Sequence, residues 1–314
     1  MKESISVLLK GAAMGAANVI PGVSGGTVAF ITGIYERLIF AIKSLSGSSL
    51  KLLFKGKIKE FAEETDLKFL IWLGIGVVVS ILTLAEVLKY LFENYEKLVW
   101  AFFFGLILAS IYFVGKRVSR WTVSCILLLL FGAAIAVVVA MMKPATENDS
   151  IPYLLLCGVI AMASMIIPGL SGSFVLLLLG NYKLVMVDSV SRLKSADPEA
   201  LSILIPVGIG AVIGLVTLSR LLAWIFKKFH DQAVALLTGF VAGSLLVIWP
   251  WKEAITETFE HEDRVKEKVI GYDWQLPAMS GETAIAVLLM IIGVVLVWLM
   301  EKSGATAEEA PKES

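Results

Sequence analysis

Two short stretches of this sequence combine a helix breaker, a hydroxyl and clustered glycine. They are Ile20-Pro21-Gly22-Val23-Ser24-Gly25-Gly26-Thr27 and Ile167-Pro168-Gly169-Leu170-Ser171-Gly172-Ser173. Each interrupts an apolar run, 5–42 and 151–187 respectively. Proline removes a backbone donor and crowds the preceding turn, and glycine holds a helix poorly. Each run therefore reads as two half-helices, broken at Pro21-Gly22 and at Pro168-Gly169. The first arm ends near Asn18, and Ser24 is a good N-cap for the second. The free amides of Gly25, Gly26 and Thr27 then face the break, carrying the positive end of the arm's dipole. Missing side chains let an anion approach that backbone closely. Ser171, Gly172 and Ser173 repeat the device. The chemistry this suits is holding a lipid phosphate or a small inorganic anion. Small residues can also simply let helices pack closely, but two copies, each with a proline break and a serine cap, favour a site.

Charge inside apolar segments is expensive and marks function. Glu86 and Arg220 occupy matching positions in two such segments, as a pair that meets or alternately binds and releases an anion. Arg37, Lys183 and Arg117 stand near segment ends. Arginine suits phosphate through its planar fork, while snorkelling to the interface is the plainer role for residues at such ends. Glu36 and Glu86 are candidates to take up a proton and couple it to transport. The motif Gly22-Val23-Ser24-Gly25-Gly26 also fits the G-x-S-x-G of serine hydrolases. That elbow needs a preceding strand and a base within reach. The two histidines, His230 at a helix end and His261 in an acidic loop, are poorly placed for either serine, so hydrolysis is rejected.

The elements that must position these groups are membrane helices. Of 314 residues 58% are apolar and 17% charged, a surplus a soluble domain cannot hide beneath a polar skin. Beside the two broken runs, six stretches are long enough to cross a bilayer: 69–92, 98–114, 121–142, 202–226, 232–249 and 283–300. Irregular backbone at membrane depth survives only within protein or a watery cavity, so the broken runs read as re-entrant hairpins. Two full crossings joined mid-sequence is the rival. Net charge is zero, with 27 Lys+Arg against 27 Asp+Glu, which gives no reason to expect nucleic acid as a partner. Cys125 and Cys157 sit in apolar runs and suggest no disulfide, and no metal or cofactor is expected. Lysine and arginine cluster on one side, as Lys2, Lys10, the run from Lys43 to Lys68, Lys116, Arg117, Arg120, Lys227 and Lys228, which makes that side and both termini cytoplasmic. The acidic loop 251–282 faces out, and the segment 50–67 lies along the cytoplasmic interface as an amphipathic helix.

The chain repeats itself. The two broken motifs are displaced by 147 residues, and the echo continues through Val28/Val175, Gly33/Gly180 and Tyr35/Tyr182. Gly74-Ile75-Gly76 returns as Gly208-Ile209-Gly210 at a displacement of 134. Each half is one hairpin plus three spans. Three is odd, so the halves stand inverted in the membrane, the pattern of transporters with a midplane site. The expected architecture is an all-α polytopic membrane protein of two inverted repeats. They cover 1–142 and 143–300, followed by a polar cytoplasmic tail, 301–314.

The paired motifs, with Gly33-Ile34-Tyr35-Glu36-Arg37 and Gly180-Asn181-Tyr182 after them, resemble the PopT family of bacterial polyprenyl-phosphate translocases over about residues 8–300. The resemblance implies that undecaprenyl phosphate is the substrate. It also implies flipping from the outer to the cytoplasmic leaflet of the plasma membrane, recycling the carrier for peptidoglycan and other envelope polymers. Membrane lipids are the surrounding partners, and a homodimer is left open. A channel or exchanger for small inorganic anions is the alternative, and a membrane-embedded lipid phosphatase or protease the third class.

Overall fold

The computed structural model describes residues 2–19, 24–45, 47–189, 198–261 and 264–308. The first broken run comprises α1 (Lys2–Val19), α2 (Gly25–Ile31) and α3 (Tyr35–Ser44). Two short helices follow, α4 (Gly47–Phe54) and α5 (Ile58–Glu64), then the long α6 (Leu67–Gly115) and α7 (Val123–Met141). The second broken run comprises α8 (Ile151–Ile166), α9 (Gly172–Leu178) and the π-helical α10 (Lys183–Ser189). The chain continues through α11 (Pro198–Lys228) and α12 (His230–Ser244). It ends with a ribbon, β1 (Lys252–His261) and β2 (Arg264–Trp274), and α13 (Gly281–Glu308).

Asn94–Gly115, Val123–Met141, Pro198–Lys228 and Gly281–Leu299 are long and apolar enough to cross a bilayer. Among the described residues, two bent pairs would bring the number to six if each were a single broken span: Gly25–Ile31 with Tyr35–Ser44 at 118°, and Ile58–Glu64 with Leu67–Thr83 at 71°. The protein is thus a mostly helical, multi-pass membrane protein.

The spans 69–92 and 98–114 meet within α6 at a kink, where non-helical backbone at Tyr95 (φ −140°, ψ 36°) separates two helices. Two expectations change in detail. The interfacial segment 50–67 is two short helices separated at Gly56, whose φ of +72° costs glycine little. The loop 251–282 is largely an antiparallel ribbon, paired from Lys252–Trp274 to His261–Arg264 with a bulge between Ile255 and Thr256. Its β-branched and aromatic residues, Ile255, Thr256, Thr258, Phe259, Val265 and Val269, favour strand over loop.

Packing repeats as the sequence does. A Cβ on Gly11 would collide with the carbonyl of Leu73, and one on Gly76 with that of Leu8. The same collisions join Gly158 to Val207 and Gly210 to Leu155. These are the same two contacts carried forward by 147 residues on the first helix and 134 on the second. So α1 seats on α6 as α8 seats on α11. The later spans exchange partners. Gly105 abuts Met290 and Gly293 abuts Phe102, tying α6 to α13, while Gly239 abuts Leu129 and Gly132 abuts Leu236, tying α12 to α7. Each half donates its third span to the other half's second, which locks the two together. The break at Tyr95 recurs at Phe229 (φ −139°, ψ 54°), 134 residues on, between α11 and α12.

The second arms are only seven residues long. Beyond them the chain turns at Gly33 (φ +75°) and Gly180 (φ +78°), values that favour glycine. In the first run Lys10 Nζ donates to the Thr32 carbonyl at 2.9 Å. In the second, the side chain of Asn181 donates to Asn148 O at 2.7 Å and accepts from Asn148 N at 3.0 Å, and Tyr153 Oη donates to Leu179 O at 2.8 Å. The end of α9 is thereby fixed beside the start of α8.

Candidate functional site

The two breaks meet. We call residues 18–27 elbow one and residues 165–174 elbow two. The hydroxyl of Ser24 donates to Met165 O at 3.2 Å, and the Gly169 amide donates to the hydroxyl of Thr27 at 2.8 Å. A Cβ on Gly26 would stand 2.8 Å from Ile166 O and 3.0 Å from Met165 O, so the backbones touch there. Ser24 and Thr27 are buried at this seam. A hydroxyl buried in an apolar surround must find a partner or cost 1–3 kcal/mol or so, which makes each elbow the other's complement.

The amides of Gly25, Gly26 and Thr27 in elbow one are satisfied from within it. Ser24 is extended (φ −110°, ψ 134°), and its oxygen accepts from the Gly26 amide at 3.2 Å, the geometry of an N-cap. Asn18 Oδ1 accepts from the Gly25 amide at 2.8 Å, and the Thr27 amide donates to Ser24 O at 2.9 Å. The three amides expected to face an anion are therefore occupied by the chain's own oxygens. Pro21 and Gly22 lie outside the described residues.

Elbow two is built differently. Ile167-Pro168-Gly169-Leu170 forms a turn closed by the Leu170 amide on Ile167 O at 3.3 Å, with Gly169 at φ +85°. Proline then glycine at the central positions is the type II arrangement. Gly169 rests on the Phe240 carbonyl, where a Cβ would collide. Ser171 caps α9 through a long contact to the Phe174 amide, 3.5 Å, and its hydroxyl lies 2.8 Å from that of Ser173. The amides of Gly172 and Ser173 have no acceptor among the described residues. Whichever serine donates to the other, one hydroxyl proton is also left over. A small crevice adjoins the Ser171 hydroxyl, lined by Ser171, Gly169 and Phe174 of the elbow, Ala136 and Ala140 of α7, and Val247, but not by Gly172 or Ser173. Spare donors at this helix end suit an anionic oxygen.

The charged candidates lie elsewhere. Arg37 is held by Asp66 at 2.6 Å and Glu3 at 2.8 Å, with its guanidinium over the Phe69 ring. Glu36 meets His230 Nε2 at 3.0 Å, and Asp231 beside it accepts from the amides of Ser119 and Arg120. His230 thus belongs to a cluster with acids and reaches neither serine. Arg117 lies 3.5 Å from Phe30 O and Ile31 O at the end of α2, against Gly33. These groups gather at the far end of the first hairpin because the second arm is too short to carry them to the elbow. Lys183 begins α10, and Arg220 lies exposed on α11 with no hydrogen-bonding partner among the described residues. Glu86 is helical, and its side chain lies outside the described residues.

Sequence reasoning missed one further cluster. Lys252 Nζ stands 4.0 Å from the centroid of the Trp100 ring and 4.8 Å from that of Tyr272, and donates to Val247 O. Burial pulls its ammonium down to about 7, against the attraction of Glu96, which accepts from Trp100 Nε1 at 3.1 Å. A cavity of about 350 Å³ beside it is lined by Tyr95, Glu96, Lys97, Trp100, Lys252 and Glu282, among others. A lone lysine after a Trp-Pro-Trp gave no signal; the ring facing it is 152 residues earlier in the chain.

The sequence profile of a family described as undecaprenyl phosphate translocase-like matches residues 14–266. A polyprenyl-phosphate transporter of Vibrio cholerae is 36% identical over 303 residues, covering 95% of this chain and 96% of that protein. A polyprenyl-phosphate transporter of Staphylococcus aureus is 30% identical over 255 residues, covering 77% of this chain and 85% of its own length. No solved structure matches.

Proposed function

Since this chain belongs to the undecaprenyl phosphate translocase-like family, we propose that it flips undecaprenyl phosphate from the outer to the cytoplasmic leaflet of a bacterial plasma membrane. This returns the lipid carrier for another round of envelope synthesis. Both relatives are named for polyprenyl phosphate. The lysine bias argues for cytoplasmic termini, and three crossings after each hairpin argue for inverted repeats with re-entrant elbows at the midplane. The residue-for-residue repetition of helix packing supports that reading.

The observation that carries the proposal is the junction of the elbows, one saturated and one with donors to spare. The isoprenoid chain stays in lipid while the phosphate crosses, so the protein has only to lower the cost of the charge. An unpaired buried ion costs several kcal/mol, and each charge-assisted bond returns about 1.5–3 kcal/mol. Gly172 N, Ser173 N and a serine hydroxyl bind the phosphate oxygens. Asn18, Ser24, Gly25, Gly26 and Thr27 form the fixed wall against which elbow two is held open. Arg220, exposed on α11 away from the elbows, is a candidate to meet the headgroup on its way to them, and Glu86 remains the candidate for coupling. Arg37, Glu36, Arg117 and Lys183 organise the ends of the hairpins.

The test is protection from a membrane-impermeant phosphatase. In vesicles containing labelled undecaprenyl phosphate, bare lipid releases only the outer pool, whereas active protein also exposes the inner one. Ser171→Ala with Ser173→Ala, which removes the spare hydroxyl without adding a side chain, should slow that exposure in protein that still assembles. Release identical with and without the wild-type protein would overturn the proposal.

A further inference from the structure

The turn between α4 and α5 presents apolar side chains that none of the described residues covers. Phe54 is 92% exposed, Ile58 65% and Leu53 40%, within the run Leu53-Phe54-Lys55-Gly56-Lys57-Ile58-Lys59. The opposite face is seated: Ser49, Phe61 and Thr65 are buried. A protein seldom leaves a phenylalanine so bare without a use for it.

Geometry and charge say what covers it. The 71° bend between α5 and the start of α6 lays α5 nearly perpendicular to a helix that enters the bilayer. The tip therefore lies beside the mouth of that helix, at the level of the lipid headgroups. Lys51, Lys55 and Lys59 surround it with no carboxylate partner among the described residues, while Lys57 is paired with Glu60 at 2.8 Å. The remaining acids of α5, Glu63 and Glu64, lie toward its other end. Apolar residues between unpaired lysines are the pattern of an interfacial anchor, with the apolar part among acyl chains and the ammoniums on phosphates.

We propose that the α4–α5 knuckle is a membrane anchor that inserts Phe54 and Ile58 into the leaflet on the side of the termini, with Lys51, Lys55 and Lys59 on anionic lipid phosphates. This refines the amphipathic helix expected from the sequence into a knuckle whose helix α5 lies along the interface and whose apolar tip side chains dip among the acyl chains. It braces α6, the helix on which α1 and elbow one are seated. The inference needs only that α6 enters a bilayer and stands apart from the choice of substrate.

Nitroxide labels test it directly. With Cys125 and Cys157, both free and buried, replaced by alanine, labels are placed singly through Phe54→Cys, Ile58→Cys and Glu63→Cys. The protein is then reconstituted in bilayers containing phosphatidylglycerol. Labels at 54 and 58 should collide severalfold more with oxygen than with a water-soluble nickel chelate, and the label at 63 should show the reverse. Adding K51Q, K55Q and K59Q together should shift the label at 54 toward the chelate. Equal nickel access at all three positions would overturn the anchor, and so would shielding at 54 from both reagents, which would mean that protein covers the tip. An unchanged depth in the triple glutamine variant would overturn the part assigned to lysine.

Discussion

Elbow one and elbow two share Pro-Gly-x-Ser-Gly yet differ in what their backbone donors do. At the position where elbow one has Asn18, elbow two has Met165; where one has Thr27, the other has Phe174. Asn18 occupies the Gly25 amide and Thr27 reaches across to Gly169. Neither Met165 nor Phe174 carries a side-chain acceptor of comparable strength, so Gly172 and Ser173 keep free amides. On the proposed function, the duplicated motif is divided into a structural half and a binding half. Two saturated elbows would have nothing to offer an anion, and two open ones would leave buried donors unpaired on both sides of the seam whenever no ligand was present.

The largest effect should come from breaking the seam itself. Gly169→Val adds a branched side chain at φ +85° and against the Phe240 carbonyl. It should cost at least about 3 kcal/mol and be seen as loss of the monodisperse protein, or as a large fall in thermal midpoint in detergent. Next comes an exchange of roles. Met165→Asn gives elbow two the capping amide of elbow one, and because Met165 Cβ would stand 3.1 Å from a Cβ placed on Gly172, the new side chain is within reach of the Gly172 amide. Binding of a polyprenyl phosphate, read by titration calorimetry, should weaken by roughly tenfold or more, the loss of one charge-assisted bond, with the thermal midpoint unchanged or raised. Unaltered affinity would mean the free amides are not the ligand's donors. The mirror change, Asn18→Met, should leave binding intact and lower stability by about 1–2 kcal/mol, since it orphans a buried amide.

Much of this was legible in the sequence because it is local. Proline, glycine and serine act on their own backbone, so the breaks at 20–24 and 167–171 and the caps at Ser24 and Ser171 followed from residue types alone. The 147-residue displacement also announced the duplicated packing, because glycines seated on a neighbouring backbone must be kept in register. What joins the elbows was not legible. Met165 O, Ile166 O and Phe240 O are carbonyls that any residue would supply, brought in by tertiary contact. Arg37 is claimed by Asp66, 29 residues away, and nothing in its own neighbourhood says so. The breaks at Tyr95 and Phe229 lack proline and glycine, yet the polar residues Glu93, Asn94, Glu96 and Lys97 between two apolar runs mark the first. The ribbon 252–274 was hidden by its acids: eight of them in the 251–282 region read as solvated loop, although the β-branched residues between them pair across strands.

The smallest effects should sharpen the contrast most, because hydroxyl deletions leave the backbone alone. Thr27→Val keeps the shape of a buried side chain but removes the acceptor for the Gly169 amide, so it should lower stability by about 1–2 kcal/mol while affinity for the phosphate changes little. Ser171→Ala with Ser173→Ala removes a hydroxyl pair whose bonds are to each other and, weakly, to Phe174 N at 3.5 Å. Stability should therefore fall by less than about 1 kcal/mol, whereas affinity should drop several-fold because a donor to the anion is gone. The two variants delete the same functional group on opposite sides of one seam. Thermal unfolding and calorimetry on the same preparations should rank them in opposite order. If both variants shifted stability alone, elbow two would be a second structural cap and the division between the halves would not exist.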